Sequence, residues 1–201
     1  MKSTLVVYAT ESGSTAEVAQ VIGEEIEGEG SGVEVLRLEG VTSLAGYDAV
    51  VIGAPMIMGW HRSAVAFVEK HRQALEYTPL ALFATAMNLT STGETAVNGV
   101  RLWLDPSLAK PPRNPQRPTF RENYASITRY ASPMLRAAGA NKPVSVAFFG
   151  GQLDYGRLKL LPRLFVMLAI QAQPGDRRNW QTIRSWAGSL PALLNSASAR
   201  K

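Results

Sequence analysis

The chain has 201 residues, 46% of them hydrophobic and 18% charged, enough to bury a core without disulfide or metal staples. It contains no cysteine, which excludes disulfides, thiolate catalysis, iron–sulfur ligation and cysteine-bound zinc. The net charge of +5 is unevenly spread, with 5 Lys/Arg against 12 Asp/Glu in residues 1–100 and 16 against 4 in residues 101–201. The basic half either faces something anionic or is a solvated basic surface.

In chain order, "TLVVYAT" (Thr4 to Thr10) reads as a buried strand, starting too early to leave room for a secretory leader. "STAEVAQVIGEEIEGEG" follows as a helix with Val18, Ala19, Val21, Ile22 and Ile26 on one face. "VEVLRL" alternates and reads as a second strand nearer an edge, and "YDAVVIGA" as a third covered on both faces. "RSAVAFVEKHRQAL" reads as one helix, "PLALFATAM" as a fourth strand and "KPVSVAFFGG" as a fifth. Strands alternating with helices at this spacing predict an α/β fold, with a doubly wound parallel sheet covered on both sides.

Two stretches exceed that plan. Residues 88–120 hold five of the twelve prolines, with Arg113 and Arg117 between them, and read as a long irregular insertion. A helix from about Phe120 to Ala138, bent at Pro133, is expected to follow. After the fifth strand, residues 157–170 ("RLKLLPRLFVMLAI") read as an extra basic amphipathic helix before the final one, "NWQTIRSWAGSLPALL". No apolar run reaches the roughly 18 residues of a spanning helix. All 201 residues are expected to form a single domain.

Ligands of open parallel sheets bind at the carboxyl ends of the strands, so the turns there carry the functional signal. The first, Thr10 to Thr15, offers four hydroxyls, a glycine and a helix N-terminus, a combination that holds a phosphate by oriented dipoles. It is neither a Walker A loop nor a G-x-G-x-x-G fingerprint. A plain helix cap by Ser12 or Ser14 is the alternative. If a phosphate binds, Glu11 should point its carboxylate away from it. The third-strand turn, "GAPMIMGWHRS", is apolar where a loop should be polar, which suits a flat ligand. The fourth strand runs out into "TAMNLTSTG" and the fifth into "FFGGQLDYG". Together these turns outline a site for a phosphorylated planar ring, although Trp60 or Tyr155 would equally pack over a helix end.

"VVYATESGSTAEVAQVI" resembles the first strand and phosphate loop of the flavodoxin family. "DAVVIGAPMIMGWHRSAVAFVEKH" and "VAFFGGQLDYGRLKLLPRLFVMLA" are similar to its menaquinone-dependent protoporphyrinogen-dehydrogenase subfamily. The resemblance implies a flavodoxin-like five-stranded sheet of order 2-1-3-4-5 and FMN as cofactor. It further implies that Thr10, Glu11, Ser12, Gly13, Ser14, Thr15 and Ala16 cradle the phosphate. Pro55, Met56, Ile57, Met58, Gly59 and Trp60 would flank the ring with Thr85, Ala86, Met87, Asn88 and Leu89. Gly150, Gly151, Gln152, Leu153, Asp154 and Tyr155 would close the site. The chain departs from the subfamily at "QPGDRRN" before the last helix, at Asn179-Trp180 in place of Asp-Trp, and in the long insertion.

The function so implied is that of an FMN-dependent oxidoreductase, protoporphyrinogen dehydrogenase-like, with a quinone acceptor. A substrate bearing propionates would suit the arginines between residues 113 and 136. The alternatives are a flavodoxin-type electron-transfer protein, against which the basic second half argues, and a binding module without FMN. No residue stands out as a catalytic acid or base. His61 and His71 could serve as a proton donor or a metal pair, but His61 reads rather as a polar loop residue and His71 as part of a solvated helix face. No metal site and no nucleic-acid partner are expected. The location expected is cytoplasmic, with peripheral contact to an anionic membrane through residues 157–170; burial of that segment's leucines is the alternative.

Overall fold

Alternation along each strand divides the apolar residues between two layers. Leu5, Val7, Val50, Ile52, Leu82 and Phe148 point into one core, and Val6, Val51, Phe83 and Phe149 into the other. The computed structural model describes residues 3–56, 59–153 and 174–199. The expected helix at 157–170 lies outside them.

The strands are β1 (Ser3–Tyr8), β2 (Gly32–Arg37), β3 (Ala49–Pro55), β4 (Leu80–Ala86), β5 (Leu89–Thr90), β6 (Ala96–Val97), β7 (Val100–Leu104), β8 (Ala109–Lys110), β9 (Ser145–Gly150), β10 (Gln152–Leu153) and β11 (Gly175–Asp176). The helices are α1 (Ser14–Gly28), α2 (Arg62–Lys70), α3 (Arg72–Tyr77), α4 (Phe120–Tyr124), α5 (Ile127–Ala138) and α6 (Trp180–Ser198). The main sheet has seven strands in the order β2-β1-β3-β4-β9-β7-β6, and its first five are all parallel. β2 is an edge strand, and the order reverses at β1 and β3.

The sheet therefore has two strands more than the five expected, and both come from the 88–120 insertion. β7 adds to β9 in parallel and β6 returns against β7. Asn98 (φ 52) and Gly99 (φ 78) form a two-residue hairpin loop between paired Val97 and Val100, which needs left-handed backbone at both positions. Residues 88–120 are thus less irregular than their prolines suggest: β5 and β8 pair as well.

Two expected helices are interrupted. The first breaks at His71, which ends α2 and begins α3. The second breaks at Ala125 and Ser126, not at Pro133, which lies within α5. Tertiary bonding explains the position, because the Thr90 N–H takes the Ala125 carbonyl at 2.8 Å. α4 begins at a capping box of Thr119 and Glu122 and ends at its C-cap Ala125, whose N–H donates to the Arg121 carbonyl.

α1 and α6 cover one face of the sheet with Val18, Ile22, Ile26, Ile183, Trp186, Leu190 and Leu194. α2 and α5 pack together over the other, with Ala64, Phe67, Val68, Ile127, Ala131 and Met134.

His71 is buried there instead of lying on a solvated face, with its ring centroid 4.5 Å from that of Phe67. Its Nε2 has no hydrogen-bond partner among the described residues. Burial lowers its pKa from the ordinary 6.5, and neighbouring Lys70 adds to the shift. The unfolded chain then binds the proton first, so this contribution to stability is full above pH 6.5 and lost as pH falls through the folded pKa. Urea unfolding between about pH 7.5 and 5.5 should show that slope, and His71→Gln should flatten it. An unchanged slope in the variant would refute this role.

Candidate functional site

Parallel pairing in register brings the ends of β1, β3, β4 and β9 to one edge of the sheet. Hydrogen bonds tie each exit to its neighbour: Ala9 N–H to the Gly53 carbonyl (3.0 Å), Met56 N–H to Thr85 (2.8 Å) and Gly151 N–H to Ala86 (2.8 Å). All four turns singled out in the sequence therefore meet at the carboxyl edge, beside the reversal in strand order where such sheets bind ligands.

In the first turn, Gly13 takes φ 92, a conformation that favours glycine, and its N–H donates to Thr10 Oγ1 at 3.0 Å. Gly13 is itself the N-cap of α1, and no side chain caps the helix. The leading N–H groups of α1 are thus left for an anion, and neither Ser12 nor Ser14 acts as the cap. Two of the four expected phosphate hydroxyls are already engaged. Thr10 closes the turn, and Thr15 Oγ1 lies 2.9 Å from Thr85 Oγ1 in a buried pair. Thr85 thereby ties the first turn to β4. Ser12 and Ala16 are partly exposed and Ser14 is buried.

The third-strand turn also differs from expectation. Met56 and Trp60 form an antiparallel bridge and are both buried. Trp60 Nε1 is buried with no partner among the described residues. Pro55 is buried, Gly59 takes φ 118, and Ile57 and Met58 lie outside the described residues.

After β4, Ala86 and Leu89 are buried, Met87 is partly exposed and Asn88 is exposed. After β9, Gly150 and Gly151 are buried and Gln152 and Leu153 partly exposed; Asp154 and Tyr155 lie outside the described residues.

The segment before α6 joins these turns, a role that sequence reading missed. β10 pairs with β11, Gln152 opposite Asp176 and Leu153 opposite Gly175. The Arg177 N–H donates to Gly151 O (3.0 Å), while its Nη1 donates to Met87 O (2.6 Å) and Asn88 Oδ1 (3.2 Å). Arg178 reaches the first turn of α1, donating to Glu17 (2.6 Å) and to Asp176 (2.6 Å), and lies 4.6 Å above the Trp180 ring. That hydrogen bond from Arg178 holds the Asp176 carboxyl below its ordinary pKa of 3.8, outweighing its partial burial.

Asp105, just after β7, was missed as well. Its buried carboxylate accepts from Ser107 (2.7 Å from Oγ, 2.9 Å from N), from Gly150 N–H (3.4 Å) and from Asn179 Nδ2 (3.4 Å). Where the subfamily has aspartate before the tryptophan of the last helix, this chain has Asn179, whose side chain accepts from the Thr182 N–H as the α6 cap.

The insertion also carries basic residues. β5 leads directly out of the fourth-strand turn and packs against α4, which carries Arg121 and is preceded by Arg113 and Arg117. Arg129 lies 5.9 Å from the Tyr124 ring centroid.

A phosphorylated flavin fits these residues on two observations. The uncapped α1 terminus suits its phosphate, and the orphaned Trp60 Nε1–H is a donor in the turn expected beside the ring. The residues that would hold it are Ser12 to Ala16 at the phosphate and the turns after β3, β4 and β9 at the ring.

Comparison with known proteins gives a consistent outcome. The family described as flavodoxin domain matches residues 5–179. The protoporphyrinogen IX dehydrogenase [quinone] of Escherichia coli K12 is 22% identical, with 98% of this chain and 99% of that protein aligned. A short-chain flavodoxin associated with a non-canonical PDU bacterial microcompartment superposes with TM-score 0.51 at 12% identity, covering 98% of this chain and 99% of that one. The rubredoxin oxygen:oxidoreductase of Desulfovibrio gigas also gives TM-score 0.51 at 12% identity; 98% of this chain corresponds to 37% of it.

Proposed function

The chain belongs to the flavodoxin domain family, and from that premise we propose that it is an FMN-dependent oxidoreductase that passes electrons from a porphyrinogen-like substrate to a quinone. The observation that carries the cofactor is the uncapped α1 N-terminus behind Gly13, at the point where the strand order reverses. The observation that carries the reaction is the end-to-end alignment with a quinone-dependent protoporphyrinogen IX dehydrogenase.

FMN, when bound, supplies the electron transfer, and the protein binds, orients and shields it. The α1 amides hold the phosphate. Arg177 and the β10–β11 pair keep the turns after β4 and β9 closed on one another. Those links would limit water beside the ring and fix the approach of a flat substrate. Arg113, Arg117 and Arg121 of the insertion would suit the propionates of a porphyrinogen. We read all 201 residues as one domain, since β7 of the insertion extends the main sheet. Among the described residues, no helix is long and apolar enough to cross a membrane. Membrane contact through residues 157–170 and a cytoplasmic location remain part of the proposal.

The test begins with the absorbance spectrum of purified protein, which should show bound flavin, directly or after FMN is added. Anaerobic incubation with protoporphyrinogen IX and a menaquinone analogue should then yield porphyrin at a rate proportional to protein. Bound FMN with no porphyrin formation, and two separated one-electron waves in potentiometry, would favour an electron carrier. Protein that binds no FMN would remove both readings.

A further inference from the structure

Glu11 is the one charged residue in the stretch from Thr10 to Ala16. A carboxylate beside a phosphate dianion opposes its binding unless it is turned aside and its charge taken up. Here Glu11 Oε1 lies 2.8 Å from His61 Nε2, fifty positions along the chain in the third-strand turn.

His61 is held in place to receive it. Its backbone N–H donates to Pro55 O at 3.1 Å, and its carbonyl accepts from Ala64 N–H (2.9 Å) and Val65 N–H (3.3 Å). The ring is the side-chain N-cap of α2: Nδ1 accepts from the Ser63 N–H at 3.4 Å and lies 2.7 Å from Ser63 Oγ. With Nδ1 accepting, Nε2 carries the hydrogen and donates to Glu11. Ser63 thereby fixes both the tautomer and the ring orientation.

Resting on the FMN reading, we infer that His61 is a positioning residue for flavin phosphate: it draws the Glu11 carboxylate out of the phosphate turn and couples that turn to the one beside the ring. The pair bears on FMN and leaves riboflavin untouched, because only the phosphorylated ligand meets the Glu11 charge. When His61 is removed, Glu11 has no other partner among the described residues and its carboxylate opposes the phosphate. When Glu11 is neutralised as well, that opposition disappears.

The experiment titrates apoprotein with FMN and with riboflavin at pH 7, following flavin fluorescence, for wild type, Glu11→Gln, His61→Ala and the double variant. Wild type should bind FMN more tightly than riboflavin. His61→Ala should weaken FMN binding about tenfold, from a dianion facing an unpaired carboxylate a few ångströms away in a largely aqueous setting. Its riboflavin affinity should stay within about twofold, and the double variant should return to within about threefold of wild type for FMN. Glu11→Gln alone, an exposed and conservative change, should bind FMN at least as well as wild type.

Equal weakening of both ligands in His61→Ala, or no recovery in the double variant, would show a merely structural cap and overturn the inference. Should His61→Ala fail to fold by circular dichroism, Glu11→Gln decides alone, and weaker FMN binding in it overturns the inference. Wild type that binds FMN while the variants behave otherwise removes the inference only. Wild type that binds neither flavin removes the FMN reading and the inference with it.

Discussion

Gly150→Ala should abolish tight FMN binding while leaving the rest of the sheet folded. A Cβ on Gly150 would lie 1.8 Å from the Arg177 carbonyl oxygen and 2.5 Å from its carbon, both backbone atoms with no side-chain freedom to give way. The segment before α6 would have to lift away. It carries the Arg177 bonds to Gly151, Met87 and Asn88, so the turns after β4 and β9 would separate together. We expect FMN affinity to fall about a hundredfold, since displacement by about 1 Å at a preorganised site carries losses of that order. The adjacent Gly151→Ala is the control: its nearest neighbours would stand at 3.6 Å, an ordinary contact, and binding should change less than about threefold. Fluorescence titration of both variants measures the contrast, and near-equal affinities would sink the argument.

Trp186→Ala should produce the largest loss of stability. Trp186 is fully buried on α6 and meets Phe149 (5.5 Å, 69°) and Phe83 (6.2 Å, 65°) edge-on. Its Nε1–H donates to Ser145 Oγ at 3.0 Å, tying the helix to the start of β9. Truncation loses the ring contacts, opens a cavity and leaves the Ser145 hydroxyl unpaired. The expected cost is about 3–5 kcal/mol in urea unfolding, with a melting point lower by on the order of 10 °C. Ser145→Ala removes only the hydrogen bond and should cost about 1–2 kcal/mol. If Trp186→Ala costs no more than Ser145→Ala, the aromatic cluster is not what holds α6 to the sheet.

The elements most readily legible in the sequence were those whose cause is local. "TLVVYAT" and "LALFATA" are apolar and bounded by turns, and each became a central strand. The first turn stood out as a candidate anion site because glycine and hydroxyl residues concentrate where a strand meets a helix. Other features depended on partners far along the chain. The bond from Thr90 to Ala125 divides one expected helix, and the bridge from Met56 to Trp60 buries two residues that loop chemistry alone would expose. Arg177 and Asp105 act across separations of 90 and 45 residues, and nothing near either marks it. The β6–β7 hairpin had a usable local signal, Asn98-Gly99 between valines, masked by the prolines that follow it.

The strand order also has a consequence for how the chain assembles. β7 precedes β9 by some forty residues in sequence, yet β9 lies between β4 and β7 in the finished sheet. As the chain emerges during synthesis, the open edge of β4 and the ready hairpin of β6 and β7 exist together before their proper intermediary does. Direct docking of one on the other would be a kinetic trap, to be undone before β9 can enter. Completion of the sheet therefore waits on residue Gly150, the same position that closes the ligand edge.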